Sequence, residues 1–129
     1  PKLEYDFVNS PDLAQTLVTT CCGMGIPFHF TGLASLKIKE TDRIVALKTE
    51  LRKLGFVLTD VNGDTLTWDG RRCEPTGEAV ETYEDHRMAM AFAPLALVRP
   101  GGVTIAHPEV VTKSYPRFWD DLRAAGFRF

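Results

Sequence analysis

The amino-acid sequence predicts a mixed α/β (α+β) chain made of two consecutive βαβαββ-type units, the second lacking its final strands. Short strand-like runs alternate with segments of helical periodicity, and this order begins again partway along the chain. Aligning Asp12 with Asp85 brings Lys39 and Lys113 to within one residue of the same register. We therefore divide the chain into repeat unit 1, about residues 1–70, and repeat unit 2, about residues 71–129.

Unit 1 begins with a strand over residues 3–8, and Ser10 followed by Pro11 predicts a capped helix start. The helix of "DLAQTLVTTCCGMG" is expected to end at Gly23 or Gly25, and the aromatic segment "IPFHFTGL" predicts the next strand. The segment "TDRIVALKTELRKLG" predicts a capped helix that ends at Gly55. Its expected buried stripe is Ile44, Leu47, Leu51 and Leu54, and its expected solvated residues are Lys48, Glu50, Arg52 and Lys53.

The segment "FVLTDVNGDTLTWDG" predicts a hairpin that turns at Asn62-Gly63-Asp64 and closes unit 1. Unit 2 then repeats the order with strand "EAVETY", helix "DHRMAMAFAPLALV", strand "VTIAH" and helix "YPRFWDDLRAAG". Pro94 lies inside the first of these helices and predicts a kink or an early end. The last helix is expected to bury one face, formed by Phe118, Leu122 and Ala125.

Composition and charge exclude several classes of function. The 129 residues carry a formal net charge of −2 with acids and bases interspersed, which argues against nucleic-acid or anionic-membrane binding. Cys21, Cys22 and Cys73 match neither a zinc spacing nor an even disulfide count, so a reducing compartment is expected. The apolar run from Met88 to Val98 is too short to span a bilayer. We expect a cytoplasmic chain with no metal site.

Cations occur near predicted helix starts, where the backbone already presents partial positive charge. Arg43, Arg87 and Lys113 are the three cases, and each such placement costs about 0.3–1 kcal/mol unless an anion intervenes. Capping accounts for Asp12, Asp42 and Asp85 taken singly, but it does not account for the cations. The pattern therefore predicts that the three cations converge on one bound phosphate or carboxylate.

Three segments in order, "LKIKETDRIVALKTELRKLG", "TYEDHRMAMAFAPLAL" and "VTKSYPRFWDDLRAAG", closely resemble the C-terminal part of the EPSP synthases (3-phosphoshikimate 1-carboxyvinyltransferases). The resemblance implies an enzyme of two domains, each of three βαβαββ units, of which residues 1–129 are a partial C-terminal domain. It also implies a monomer for the full-length enzyme. We expect the chain alone to be inactive and prone to self-association through unpaired apolar faces.

The resemblance further implies transfer of the enolpyruvyl group of phosphoenolpyruvate to the 5-hydroxyl of shikimate 3-phosphate, with no cofactor. It implies catalytic roles for Asp12, Glu40 and Lys113, and substrate binding by Asp12, Lys39, Arg43, Arg87 and Lys113. Glyphosate is then a candidate inhibitor, and the role of His86 stays open. Two alternatives remain: an enzyme similar to UDP-N-acetylglucosamine enolpyruvyl transferase, and a non-catalytic anion-binding module.

Overall fold

The computed structural model describes residues 2–129. Within that range one mixed sheet has the strand order β1-β2-β4-β3, in which β1 and β2 are parallel and the other neighbouring pairs are antiparallel. The strands are β1 (Leu3–Asp6), β2 (Phe28–Thr31), β3 (Thr59–Val61) and β4 (Thr65–Trp68). The helices are α1 (Ala14–Met24), α2 (Arg43–Lys53), α3 (His86–Phe92) and α4 (Phe118–Ala124). The mixed α/β class predicted from the sequence is therefore confirmed.

Unit 1 has the predicted element order, β1-α1-β2-α2-β3-β4. The parallel pairing of β1 with β2 needs a crossover, and α1 supplies it. Ser10 and Pro11 occupy the predicted N-cap and first positions, but the Ser10 side chain makes no capping hydrogen bond, so the predicted side-chain cap is wrong. These residues begin a 3-10 turn over Pro11–Leu13, which precedes α1. The turn is closed by a backbone hydrogen bond in which the Leu13 N–H donates to the Ser10 carbonyl at 3.1 Å.

Helix α2 and the hairpin follow the local signals of the sequence. The Asp42 carboxylate caps α2 by accepting from the Val45 N–H at 3.2 Å. Strands β3 and β4 pair on either side of the predicted turn at residues 62–64. The predicted apolar stripe of α2, Ile44, Leu47, Leu51 and Leu54, is buried in the main core. Glu50 contradicts the prediction, because it is fully buried rather than solvated.

The two strands predicted for unit 2 do not form. They reduce to a single parallel bridge between Val80 and Ile105. Tyr83 and His107, just beyond the bridge on the two segments, have φ angles of 57° and 52°. A left-handed residue cannot continue an extended ladder, so the pairing stops there.

Equivalent backbone contacts support the repeat. The Phe7 N–H donates to the Thr31 carbonyl at 2.8 Å, and the Val80 N–H donates to the Thr104 carbonyl at 2.8 Å. Each residue of the second bond lies 73 positions after its counterpart, which is the spacing between Asp12 and Asp85. Two 3-10 turns, Ala34–Ile38 and Pro108–Val111, likewise precede Lys39 and Lys113. The unit boundaries themselves stay a prediction.

The helices of unit 2 are short. Helix α3 ends at Phe92, two residues before Pro94, and the chain continues as a 3-10 helix over Ala93–Val98, so the predicted early end is confirmed. Helix α4 buries Phe118, but Leu122 is only half-buried and Ala125 is exposed, so the predicted face is too wide. No helix within residues 2–129 has the length and apolarity required to cross a membrane. The three cysteines are free.

Gly32, at the end of β2, is expected to tolerate no side chain. Its φ is +74°, and a Cβ atom there would overlap the Asp6 carboxylate and the Val8 backbone nitrogen. We predict that Gly32→Ala lowers the free energy of unfolding by about 2–4 kcal/mol, as measured by urea denaturation. Gly70→Ala, with φ +99° and open space around it, should cost only about 1–2 kcal/mol, from the backbone alone. Equal losses at the two positions would contradict the predicted overlap.

Candidate functional site

A buried ion pair joins the beginnings of α2 and α3. Arg43, the first residue of α2, is 2% exposed, and Asp85, the residue before α3, is 0% exposed. The Arg43 Nε donates to Asp85 Oδ2 at 2.7 Å and Nη2 donates to Asp85 Oδ1 at 3.1 Å. Asp85 Oδ1 also accepts from the Arg87 N–H at 2.9 Å and so caps α3. This bidentate geometry is the strongest form of ion pair that side chains offer.

The remaining guanidinium donors reach two further carboxylates. Arg43 Nη2 donates to Glu40 Oε2 at 3.0 Å, and Nη1 donates to Asp12 Oδ1 at 3.3 Å. The anion that the sequence predicted for Arg43 is therefore supplied first by the protein itself, at Asp85. Capping was the role considered for Asp85 from the sequence, and the structure adds the ion pair to it. Nothing local marks the pairing, because Arg43 and Asp85 are 42 residues apart in sequence.

Two further cations lie close to the Asp12 carboxylate. Lys39 Nζ lies 3.7 Å from Asp12 Oδ1, and Arg87 Nη2 lies 4.0 Å from Asp12 Oδ2. Arg87 Nη1 also donates to the Asp12 carbonyl at 3.1 Å. These three side chains are partly exposed, unlike the Arg43–Asp85 pair. The cluster is thus buried at Asp85 and opens to solvent at Asp12. We call Asp12, Lys39, Glu40, Arg43, Asp85 and Arg87 the Arg43 cluster.

Lys113 is the predicted site residue that the structure does not join to this cluster. It is exposed, and within residues 2–129 no ion pair involves it. Arg43 and Arg87 do meet, since both lie against the Asp12 carboxylate. Convergence of all three cations on one anion stays a prediction.

His86 extends the cluster on the side of Glu40, where its Nδ1 lies 3.5 Å from Glu40 Oε2. Ligand-type atoms of Glu40, Asp85 and His86 all lie within 4.8 Å of one another, a spacing that suits a metal ion. Both carboxylates, however, already accept hydrogen bonds from Arg43. A divalent cation would therefore lie against a buried guanidinium, and this repulsion argues against a metal ion at these three residues.

The exposed side of the cluster offers donors and an acid together. A guanidinium has five N–H donors, and Arg87 shows contacts for only some of them, while Lys39 carries a mobile point charge. A phosphate or carboxylate entering beside Asp12 would meet both cations. Glu40, whose side chain is 42% exposed, then stands within the same cluster as a group able to donate or accept a proton.

The segment directly before Asp85 has backbone φ angles that are unusual for residues other than glycine. Tyr83 and Glu84 both have φ angles of 57°, and the Asp85 N–H closes the turn by donating to the Thr82 carbonyl at 2.8 Å. Left-handed conformations cost roughly 1–3 kcal/mol for residues other than glycine, so surrounding contacts must hold this turn. Buried Glu50 makes such contacts. The pKa of Tyr83 is raised, first by burial of the Tyr83 hydroxyl and then by its hydrogen bond to Glu50.

Glu50 was predicted on the solvated face of α2, although one signal placed it inside. It lies three residues after Leu47 and four before Leu54, which is the spacing of the buried stripe. Charge alone suggested exposure. The structure overrides that preference because Lys53 Nζ lies 2.7 Å from Glu50 Oε1. The Glu81 N–H and the Tyr83 hydroxyl also donate hydrogen bonds to the Glu50 carboxylate.

A family model described as EPSP synthase (3-phosphoshikimate 1-carboxyvinyltransferase) matches residues 3–122 of the chain. The chain belongs to the EPSP synthase family. The match includes every residue of the Arg43 cluster and also Lys113. The resemblance inferred from the sequence motifs is thereby confirmed for the family. Which part of an EPSP synthase the chain represents stays a prediction.

Curated relatives carry the same description. A 3-phosphoshikimate 1-carboxyvinyltransferase of Bacteroides fragilis is 61% identical over 127 residues, covering 98% of this chain and 31% of the relative. One from Aquifex aeolicus is 48% identical, covering 88% of this chain and 27% of the relative. One from Methanoculleus marisnigri is 41% identical, covering 96% and 28%. The chain therefore spans about a third of the length of these EPSP synthases.

Proposed function

We propose that the chain provides part of the active site of an EPSP synthase and corresponds to the C-terminal part of that enzyme. The reaction is transfer of the enolpyruvyl group of phosphoenolpyruvate to the 5-hydroxyl of shikimate 3-phosphate with release of phosphate, in the shikimate pathway. The Arg43 cluster carries this proposal. It gathers Asp12, Lys39, Glu40, Arg43 and Arg87, which are all but one of the residues that the family resemblance implies.

The geometry supports distinct roles within the cluster. Arg87 and Lys39 present charge on the open side, where they are suited to hold a substrate phosphate or carboxylate. The 3.3 Å contact from Arg43 to Asp12 is the longest of the Arg43 hydrogen bonds. In the proposed enzyme an incoming carboxylate takes over this edge of the guanidinium, and Asp12 turns to the acceptor hydroxyl. Asp12 then takes the hydroxyl proton.

Glu40 performs the proton transfers at the methylene carbon of phosphoenolpyruvate in this proposal. Glu40 enters this step protonated and gives its proton to that carbon as the acceptor oxygen adds to the neighbouring carbon. It takes one proton back from the resulting methyl group as the carbon–oxygen bond to phosphate breaks, which restores its protonated form. Lys113 protonates the departing phosphate. This last role requires Lys113 to approach the cluster when substrate binds, because the structure leaves it exposed and outside the cluster.

The experiment uses a chimeric enzyme in which this chain replaces the 127 matched residues of the Bacteroides fragilis relative. We expect it to release phosphate from phosphoenolpyruvate with shikimate 3-phosphate at a rate within about tenfold of the intact relative. The chain alone should show no turnover, because misplacing reacting groups by about 1 Å costs about a hundredfold. The Asp12→Asn chimera is the control for background phosphate release.

The acceptor decides between the remaining alternatives. The family match favours shikimate 3-phosphate, and UDP-N-acetylglucosamine should support no phosphate release. A folded chimera that binds phosphoenolpyruvate but turns over with neither acceptor would favour the non-catalytic anion-binding module. Glyphosate should compete with phosphoenolpyruvate in the active chimera.

A further inference from the structure

We propose that the buried Glu50 and the partly exposed Tyr83 form a positioning pair that sets the place of Asp85, and through Asp85 the orientation of Arg43. The kinetic consequence of this proposal rests on the proposed function, whereas its structural consequence is independent of any activity. Neither residue touches the open side of the Arg43 cluster. Both would act on substrate only through the ion pair between Arg43 and Asp85.

Helix α2 contacts the segment of residues 81–85 at two points. Arg43 holds Asp85, and Glu50, seven residues later on the same face of the helix, holds the residues just before it. Glu50 Oε2 accepts from the Tyr83 hydroxyl at 2.5 Å, and Oε1 accepts from the Glu81 N–H at 2.9 Å. Because Arg43 and Glu50 belong to the same helix, the two contacts hold the turn before α3 in place relative to α2.

The turn needs such support because of its backbone. Tyr83 and Glu84 are both left-handed, and the turn places Asp85 directly after them. On its other side the Thr82 hydroxyl donates to the Ala106 carbonyl at 3.0 Å, so the segment is anchored before the turn as well. Loss of the Tyr83 hydroxyl bond would free one side of the turn to relax. Asp85 would move with the turn, since it lies two residues after Tyr83.

The chemistry of Glu50 favours a positioning role over a simple contribution to the core. It is 0% exposed, and Lys53 compensates its charge while donating to the Ala79 carbonyl at 3.1 Å. Buried ion pairs are often no more stabilising than apolar residues of the same size. Glu50 and Lys53 together direct the chain, because their side-chain hydrogen bonds and ion pair end on the segment from Ala79 to Tyr83 or within α2.

The effect on the proposed site should be confined to one substrate. Asp12 and Lys39 reach the cluster from elements that the pair does not contact, the 3-10 turn before α1 and the loop before α2. By the family resemblance these two residues bind the shikimate substrate, whereas Arg43 binds phosphoenolpyruvate. Disorder at Asp85 should therefore weaken phosphoenolpyruvate binding and leave shikimate 3-phosphate binding almost unchanged.

The structural test follows hydrogen exchange at the Arg43 Nε–H by NMR in the ¹⁵N-labelled chain. Tyr83→Phe and Glu50→Ala should speed this exchange by about tenfold or more, the equivalent of one charge-assisted hydrogen bond. Glu50→Gln keeps side-chain partners for the Tyr83 hydroxyl and the Glu81 N–H, and should retain most of the protection. Amides of the central strand β2 serve as the reference for global unfolding. The matched controls are Tyr5→Phe and Glu74→Gln, both at exposed positions.

The kinetic test uses the same substitutions in the chimeric enzyme. Tyr83→Phe and Glu50→Ala should raise KM for phosphoenolpyruvate about tenfold and leave KM for shikimate 3-phosphate within about twofold. Unchanged Arg43 exchange, or exchange that rises only in step with the β2 amides, would overturn the positioning role. If Arg43 Nε–H exchange is faster in the variants but the unsubstituted chimeric enzyme is inactive, the positioning role is supported and the proposed function is overturned. An equal rise in both KM values would also overturn the pair's proposed role.

Discussion

Asp85→Ala is expected to lower the free energy of unfolding of the chain by about 3–5 kcal/mol. The substitution removes the only fully buried partner of the Arg43 guanidinium, which is 2% exposed, and leaves it with the partly exposed carboxylates of Glu40 and Asp12. Removing one partner of a buried ion pair is strongly destabilising because the remaining charge stays buried. The substitution also removes the α3 cap, which accepts from the Arg87 N–H. Urea denaturation followed by fluorescence of Trp68 and Trp119 measures the loss.

Asp120→Ala is the matched control for Asp85→Ala. Asp120 is exposed, and its ion pairs with Arg117 and Arg123 are 3.9 and 4.0 Å long, so its removal should cost less than about 1 kcal/mol. A double variant, Arg43→Met with Asp85→Ala, should be less destabilised than the two single losses together, because it leaves no buried charge unpaired. Equal effects of the two substitutions would show that the Glu40 and Asp12 carboxylates are enough to compensate the Arg43 charge.

Glu40→Gln is expected to lower kcat of the chimeric enzyme by about 10²–10⁴-fold, the range that general acid–base groups contribute. The amide has the same shape as the carboxylate and keeps an oxygen that accepts from Arg43 Nη2, so the cluster should retain its geometry. Only the capacity to give and take a proton is lost. The rate of phosphate release at saturating substrate concentrations measures the effect.

The loss at Glu40 should occur without a comparable loss of stability. The Glu40 side chain is 42% exposed, so Glu40→Gln should change the free energy of unfolding by less than about 1 kcal/mol. Glu74→Gln, at an exposed position outside the cluster, should leave kcat unchanged. A Glu40→Gln chimera with at least a tenth of the unsubstituted rate would contradict the proposed acid–base role and leave Glu40 only as a partner of Arg43 and His86.

Elements with strong local signals were predictable from the sequence. The Asp42 cap, the apolar stripe of α2 and the turn at residues 62–64 each depend on residues a few positions apart, and the structure has all three. The early end of α3 before Pro94 is likewise a local steric effect. The motifs around Glu40, His86 and Lys113 were specific enough to indicate the family, because they carry residue types and spacings that packing alone does not require.

Features that depend on distant partners were decided only by the tertiary structure. The sequence offered a ligand as the counter-charge of Arg43, but folding brings Asp85 to it from 42 residues away. Glu50 is buried because Lys53 and Tyr83 meet it there, and the strands of unit 2 shrink to one bridge because left-handed residues follow it. In each case the local preference is worth about 1 kcal/mol or less, whereas a buried ion pair left without one partner costs several. Long-range contacts of that size override the local sequence, and no window of neighbouring residues contains them.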